Sequence, residues 1–198
     1  MRGLGLGSLE YALLAPAACI SAIVLLLEGS SVQTGLQWSW ALAVPIGFAL
    51  DQQITVQAAF MGPLRLRERL GTLEPAAVAA AELEPLFRQR PAIHRFPGAM
   101  ATRVHDLAAH VVERYDGDAG RVWGDAGSAE ELRANIAALP GFGEMKVKAL
   151  SAVLAKRLGV KVAEPLAPDY PTLGDVDSPE ALAAYQAGKR AHKAAMRR

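Results

Sequence analysis

The chain has 198 residues, with 21 Lys+Arg against 20 Asp+Glu, 52% hydrophobic residues, 6% aromatic residues and one cysteine. That balance excludes disorder, a collagen repeat and a disulfide scaffold, and it suffices for one domain with a full-sized core. Cys19 stands alone, which excludes a four-cysteine iron–sulfur cluster or a multi-cysteine zinc site, and a net charge of +1 makes no global case for a polyanionic partner.

Charge is unevenly distributed. Residues 1–50 carry only Arg2, Glu10 and Glu28, whereas 51–198 carry 20 basic and 18 acidic side chains. From Tyr11 to Leu27 seventeen residues lack a charge, just short of the about 20 needed to cross a bilayer and interrupted by Pro16. The run has neither the basic start nor the cleavage site of a secretory signal, and Pro16-Ala-Ala-Cys19 lacks the leucine expected before a lipidated cysteine. Residues 1–40 form an apolar N-terminal segment with three readings open: a membrane anchor over 11–27, a buried helix, or sequence not native to the domain, such as a misassigned start. The domain is expected over 41–198.

From there the pattern is helical, with apolar residues at 3.6 spacing and no sustained alternation, so the expected fold class is all-α. Helices are predicted at 42–61, 63–70, 75–88, 97–115, 128–138, 144–158 and 178–196. Gly71 and Gly117 follow helix ends, Pro97 opens a helix, and Ser128-Ala-Glu-Glu131 has the spacing of a capping box. Asp177-Ser178-Pro179-Glu180 reads as a cap followed by proline in the first turn. The longest irregular stretch is 159–177.

The most informative segment is Leu139-Pro140-Gly141-Phe142-Gly143, between two predicted helices. Glycines at 141 and 143 suit a tight turn with positive φ and leave main-chain N–H groups uncovered, and amides at the start of the next helix can hold a DNA phosphate without reading a base. Beyond the turn come Lys146, Lys148, Lys156, Arg157 and Lys161, with no acidic residue between Met145 and Ala163. Val147, Leu150, Leu154 and Leu158 form an apolar stripe, and the basic residues fall off it.

The LPGxG pattern between helices resembles the helix–hairpin–helix of the base-excision DNA glycosylase superfamily. Phe48-Ala-Leu-Asp-Gln-Gln-Ile-Thr55 resembles the glutamine-bearing segment near the start of that core, and His94-Arg-Phe-Pro-Gly-Ala-Met-Ala-Thr-Arg103 resembles the element before the hairpin. Together with LPGFGEMKVKAL these segments are similar to a small bacterial subfamily without an iron–sulfur cluster, over residues 42–198. The resemblance implies a two-lobed all-α fold and a monofunctional DNA glycosylase that hydrolyses the N-glycosidic bond of a flipped base. The implied partner is double-stranded DNA with a damaged or mispaired base. The alternative is a non-catalytic DNA-binding protein.

Residue by residue, Met145 stands where strand-cutting members have a lysine that forms a Schiff base, and Lys146, about 100 degrees further round the helix, is expected to face the DNA backbone. Counting to the superfamily's catalytic aspartate lands on Ala163, but Val176-Asp177-Ser178 resembles its Val-Asp-Thr, so a longer loop would deliver Asp177; Asp169 is the second catalytic candidate. The expected DNA contacts are Gln52, Gln53, Leu139, Gly141, Phe142, Gly143, Lys146 and Lys148, with the glutamines filling the gap left by a flipped base. Asp51 is expected either to orient a base edge or to pair with a neighbouring arginine, and His94 either to contact DNA or line the pocket or to be a satisfied structural residue. Trp123, Phe96, Phe60 and Tyr115 are candidates to stack on a base. A second basic patch, Lys189 to Arg198, either touches phosphates or is a solvated tail. Histidines 94, 105, 110 and 192 lack metal-site spacing, so no zinc is expected; no cofactor is implied beyond a monovalent cation on hairpin carbonyls. A cytoplasmic, nucleoid-associated monomer is the expected state.

Overall fold

The computed structural model describes residues 37–195, and among them there is no strand. Nine helices follow one another: α1 Gln37–Leu50, α2 Val56–Leu70, α3 Pro75–Ala80, α4 Leu83–Arg88, α5 Pro97–Tyr115, α6 Arg121–Gly124, α7 Ala129–Ala137, α8 Glu144–Leu158 and α9 Pro179–Ala195. Two 3-10 turns, Lys161–Leu166 and Leu173–Asp175, lie between α8 and α9. The fold class is all-α. The segment 11–27 lies outside the described residues; among those described, no helix is long and apolar enough to cross a membrane.

Helix ends follow local chemistry. Ser128 caps α7 by accepting from the Glu131 amide at 3.1 Å, but the Glu131 carboxylate turns to the Gly127 amide at 2.9 Å, so the expected box closes one residue early. Ser178, not Asp177, caps α9, accepting from the Ala181 amide at 3.1 Å, with Pro179 as the first helical residue.

The expected helix 42–61 is in fact two. α1 ends at Leu50, Gln53 has φ of 57°, and Thr55 restarts the helix by accepting from the Ala58 amide at 3.2 Å. Pro63, expected to begin a separate helix, sits inside α2. The expected 75–88 also divides, because Ala81 is extended at ψ of 148°.

The core is one continuous apolar cluster. Leu42, Ala43, Ile46, Ala49 and Leu50 of α1 are fully buried in it. At about 1.5–3 kcal/mol for each large aliphatic side chain, this helix is integral to the domain. α1 packs on α2 and α5, α3 and α4 pack on α5, and α8 packs on both 3-10 turns and touches α1. Gly174 makes the last packing possible: a Cβ there would lie 2.6 Å from the Ala152 carbonyl oxygen of α8.

Candidate nucleic-acid interface

The hairpin between α7 and α8 is anchored by the side chains of Leu139 and Phe142, which are buried in the core. Both were expected to contact DNA; their apolar side chains are instead what holds the turn in place. The Phe142 amide donates to the Leu139 carbonyl at 3.0 Å, and Gly141, at φ of 81°, takes the left-handed conformation that closes the turn. Gly143 caps α8 with ordinary φ of -94°. Among the described residues, the amides of Gly141, Gly143, Glu144 and Met145 have no protein acceptor, and the space where a Gly143 side chain would stand is open. Three of these donors, Gly143, Glu144 and Met145, lie at the positive end of a 15-residue helix, an arrangement whose chemistry suits an anion. Glu144 in that first turn is drawn to Arg133 at 2.9 Å.

Arg103 of α5 is a component that the sequence reading did not assign. A Cβ on Gly141 would lie 2.9 Å from its Cδ and Nε, so the arginine side chain lies against the hairpin glycine. Its signal in sequence was only a position two turns into a helix, which says nothing about a hairpin far along the chain.

Lys146 departs from the expectation that it faces outward. Met145 is the exposed neighbour, at 67%, while the Lys146 ammonium reaches the Ala49 carbonyl at the end of α1, 3.4 Å away, and sits 5.4 Å from the Phe142 ring centre. Burial, reinforced by the nearby Arg103 charge and only partly offset by Asp51, lowers its pKa from 10.5 to about 8. At pH 7 the amine is still about 90% protonated.

Gln52 converges on the same oxygen, donating from Nε2 to the Ala49 carbonyl at 3.0 Å. Its amide is therefore used to close the end of α1, and the Gln52 carbonyl accepts from His94 Nε2 at 3.0 Å. Gln53 is exposed and has no such tie. His94 is buried, donates from Nε2, and accepts the Phe96 amide on Nδ1 at 3.1 Å; burial first, and then the charges of Arg95 and Arg103, lower its pKa against the opposing pull of backbone hydrogen bonds. It is the satisfied structural histidine of the two readings.

Asp51 pairs with Lys189 of α9 at 3.0 Å, not with an arginine, which ties the C-terminal helix to the bend after α1. Burial is the strongest single influence on Lys189 and would lower its pKa, but the charges of and hydrogen bonds to Asp51 and Tyr185 together outweigh it and raise it. The basic run after the hairpin is also partly neutralised in three dimensions, since Lys156 meets Asp175 at 2.7 Å. Burial pushes Asp175 up, yet hydrogen bonds from Lys156 and Thr172 prevail and hold its carboxyl below the ordinary value. Lys148 and Lys161 remain exposed.

Asp177 and Asp169 are exposed, and among the described residues neither has a hydrogen-bond or ion-pair partner. Of the candidate stacking aromatics, Phe60 packs edge-on against Phe48 in the core and Tyr115 is buried, Trp123 is half-buried, and Phe96 is 41% exposed. Among the described residues no cluster of three His, Cys, Asp or Glu could hold a metal ion.

Compared with known proteins, no family model, no curated protein and no solved structure matches the chain.

Proposed function

We propose that this protein binds duplex DNA through the hairpin at 139–143 and hydrolyses the N-glycosidic bond of a damaged or mispaired base turned out of the helix, as the two-lobed helix–hairpin–helix glycosylases it resembles do. The observation that carries the reading is the hairpin itself: Gly141 left-handed, unpartnered amides at an open helix start, Arg103 against the turn, and exposed Lys148 on the following helix. A phosphate held there gains charge-assisted hydrogen bonds from backbone and arginine alike. Gln53, exposed at the bend after α1, is the free amide for the gap left by a flipped base.

In this reading a water oxygen bonds to the sugar carbon as the base leaves, and the exposed carboxylate of Asp177 stabilises the positive charge on the sugar or takes the water's proton. Lys146 forms no covalent bond to the sugar; its ammonium joins the hairpin helix to the end of α1. A non-catalytic DNA-binding protein is the second reading. It is favoured because, among the described residues, no partner orients Asp177 or Asp169, while the partly buried Asp51 is engaged by Lys189.

Base release from lesion-bearing duplexes, measured for the full chain and for Asp177→Asn, separates the two. Release lost in the variant with abasic-duplex binding retained supports hydrolysis through Asp177, and binding without release on any lesion supports the second reading. An adduct trapped by borohydride and lost in Lys146→Ala would replace hydrolysis with lysine chemistry.

A further inference from the structure

We propose that the pocket beside the start of α5 is a phosphate-binding site distinct from the hairpin. It is an open cavity of about 690 Å³ whose walls include Arg88, Arg90, His94, Arg95 and Pro97. Arg88 is shared with Glu84 one turn earlier on α4. Arg90 and Arg95 are exposed and, among the described residues, have no carboxylate partner. The pocket thus combines two uncompensated guanidinium forks with a third that is partly neutralised. Planar forks of this kind match phosphate oxygens two at a time.

The walls are braced from within. Arg69 of α2 donates to the Leu86 carbonyl and, at 2.6 Å, to the Pro91 carbonyl, which fixes the loop carrying the arginines. His94 uses both ring nitrogens on backbone groups, so it supplies shape to the pocket and not charge. The Arg95 guanidinium lies over the Phe96 ring, 4.8 Å from its centre, which holds that fork at the pocket wall against an aromatic side chain.

Two sources can present such a group: a nucleic-acid backbone or a free mononucleotide. The position favours the backbone. Pro97 and Arg103 are six residues apart on α5, about 9 Å along its axis. Arg103 reaches the hairpin glycine, and phosphates of one strand advance about 3.4 Å along a duplex per nucleotide. One helix thus carries the pocket at its start and the arginine that reaches the hairpin, so a strand with several phosphates can meet both. That choice of source rests on the DNA-binding reading, whereas the phosphate chemistry of the pocket does not.

The test uses the full chain, an Arg90→Ala/Arg95→Ala double variant and an Arg90→Lys/Arg95→Lys double variant. Labelled duplex is followed by anisotropy across a salt series, and inorganic phosphate and dAMP are titrated by calorimetry. The alanine variant should bind duplex about ten-fold more weakly, with a salt slope smaller by about one to two, and the lysine variant should keep the slope while losing affinity several-fold. Duplex, phosphate and dAMP binding all unchanged in the alanine variant overturns the pocket while leaving the DNA reading intact. Lysine equal to arginine overturns it in favour of a diffuse charged surface. No duplex binding by the full chain, with phosphate or dAMP bound by it but not by the alanine variant, keeps the pocket with a free nucleotide as its ligand and removes the DNA reading. No binding of any of these probes overturns both.

Discussion

Gly141 and Gly143 look equivalent in the motif, but the structure separates them. At Gly141, φ of 81° is a conformation that costs an L-residue about 1–2 kcal/mol, and a new Cβ would meet Arg103 at 2.9 Å and displace its side chain. Gly141→Ala should therefore lower stability by about 1–2 kcal/mol, or about 2–8 °C in Tm for a chain of this size. At Gly143, φ of -94° and ψ of 178° suit any residue, nothing lies within 4 Å, and the position is the N-cap of α8. Gly143→Ser should be neutral or stabilising by a few tenths of a kcal/mol, because the serine oxygen can accept an open amide of the first turn. For the same reason it should weaken DNA binding, since the hydroxyl competes with phosphate for that donor. Urea melts and duplex anisotropy on both variants provide the assay. Equal stability losses at the two positions, or none at Gly141, would refute the conformational argument; a Gly143→Ser protein that binds duplex as tightly as the parent would refute the use of those amides.

Three further outcomes follow from burial and charge. Lys146→Met should be more stable than the parent at pH 7: the folded amine has its pKa lowered to about 8, so the parent gains stability as pH rises from about 8 to 10.5 and the variant should not, which urea melts at pH 7 and 9.5 will show. The lowered pKa of His94 means that its contribution is full above about 6.5 and is lost as pH falls below that value toward its folded pKa, so His94→Gln should flatten the acid limb; His110, lowered chiefly by burial, leaves a residual slope in melts at pH 7.5 and 5.5. A chain beginning at Gln37 should melt cooperatively, whereas one beginning at Asp51 loses the buried face of α1 and should fail to fold, as judged by far-UV circular dichroism and thermal scans.

What was legible in the sequence is what short-range chemistry decides. The bounds of 97–115 and 144–158, the cap at Ser128, and the left-handed glycine of the hairpin all follow from residues within one turn of the feature they set, whereas the last helix is capped one residue later than expected, by Ser178. The break after Leu50 was also written locally, in Thr55 as a cap, but helical apolar spacing on both sides of it masked it. The site was less legible, because its electrostatics depend on partners that only folding brings near. Whether Lys146 faces solvent or the end of α1 is decided by a carbonyl oxygen on Ala49, and the charge of the run after the hairpin is decided by Asp175 returning to Lys156. Gln52 is taken out of the exposed surface by the same Ala49 carbonyl, while Arg103 and the braced arginine pocket carry no motif at all. Helix caps and turns act over one turn of chain, whereas desolvation and ion pairing act through space. The sequence by itself therefore determined the bounds of helices such as 97–115 and 144–158, and the tertiary structure alone decided which of the chain's cations remain free to meet an anion.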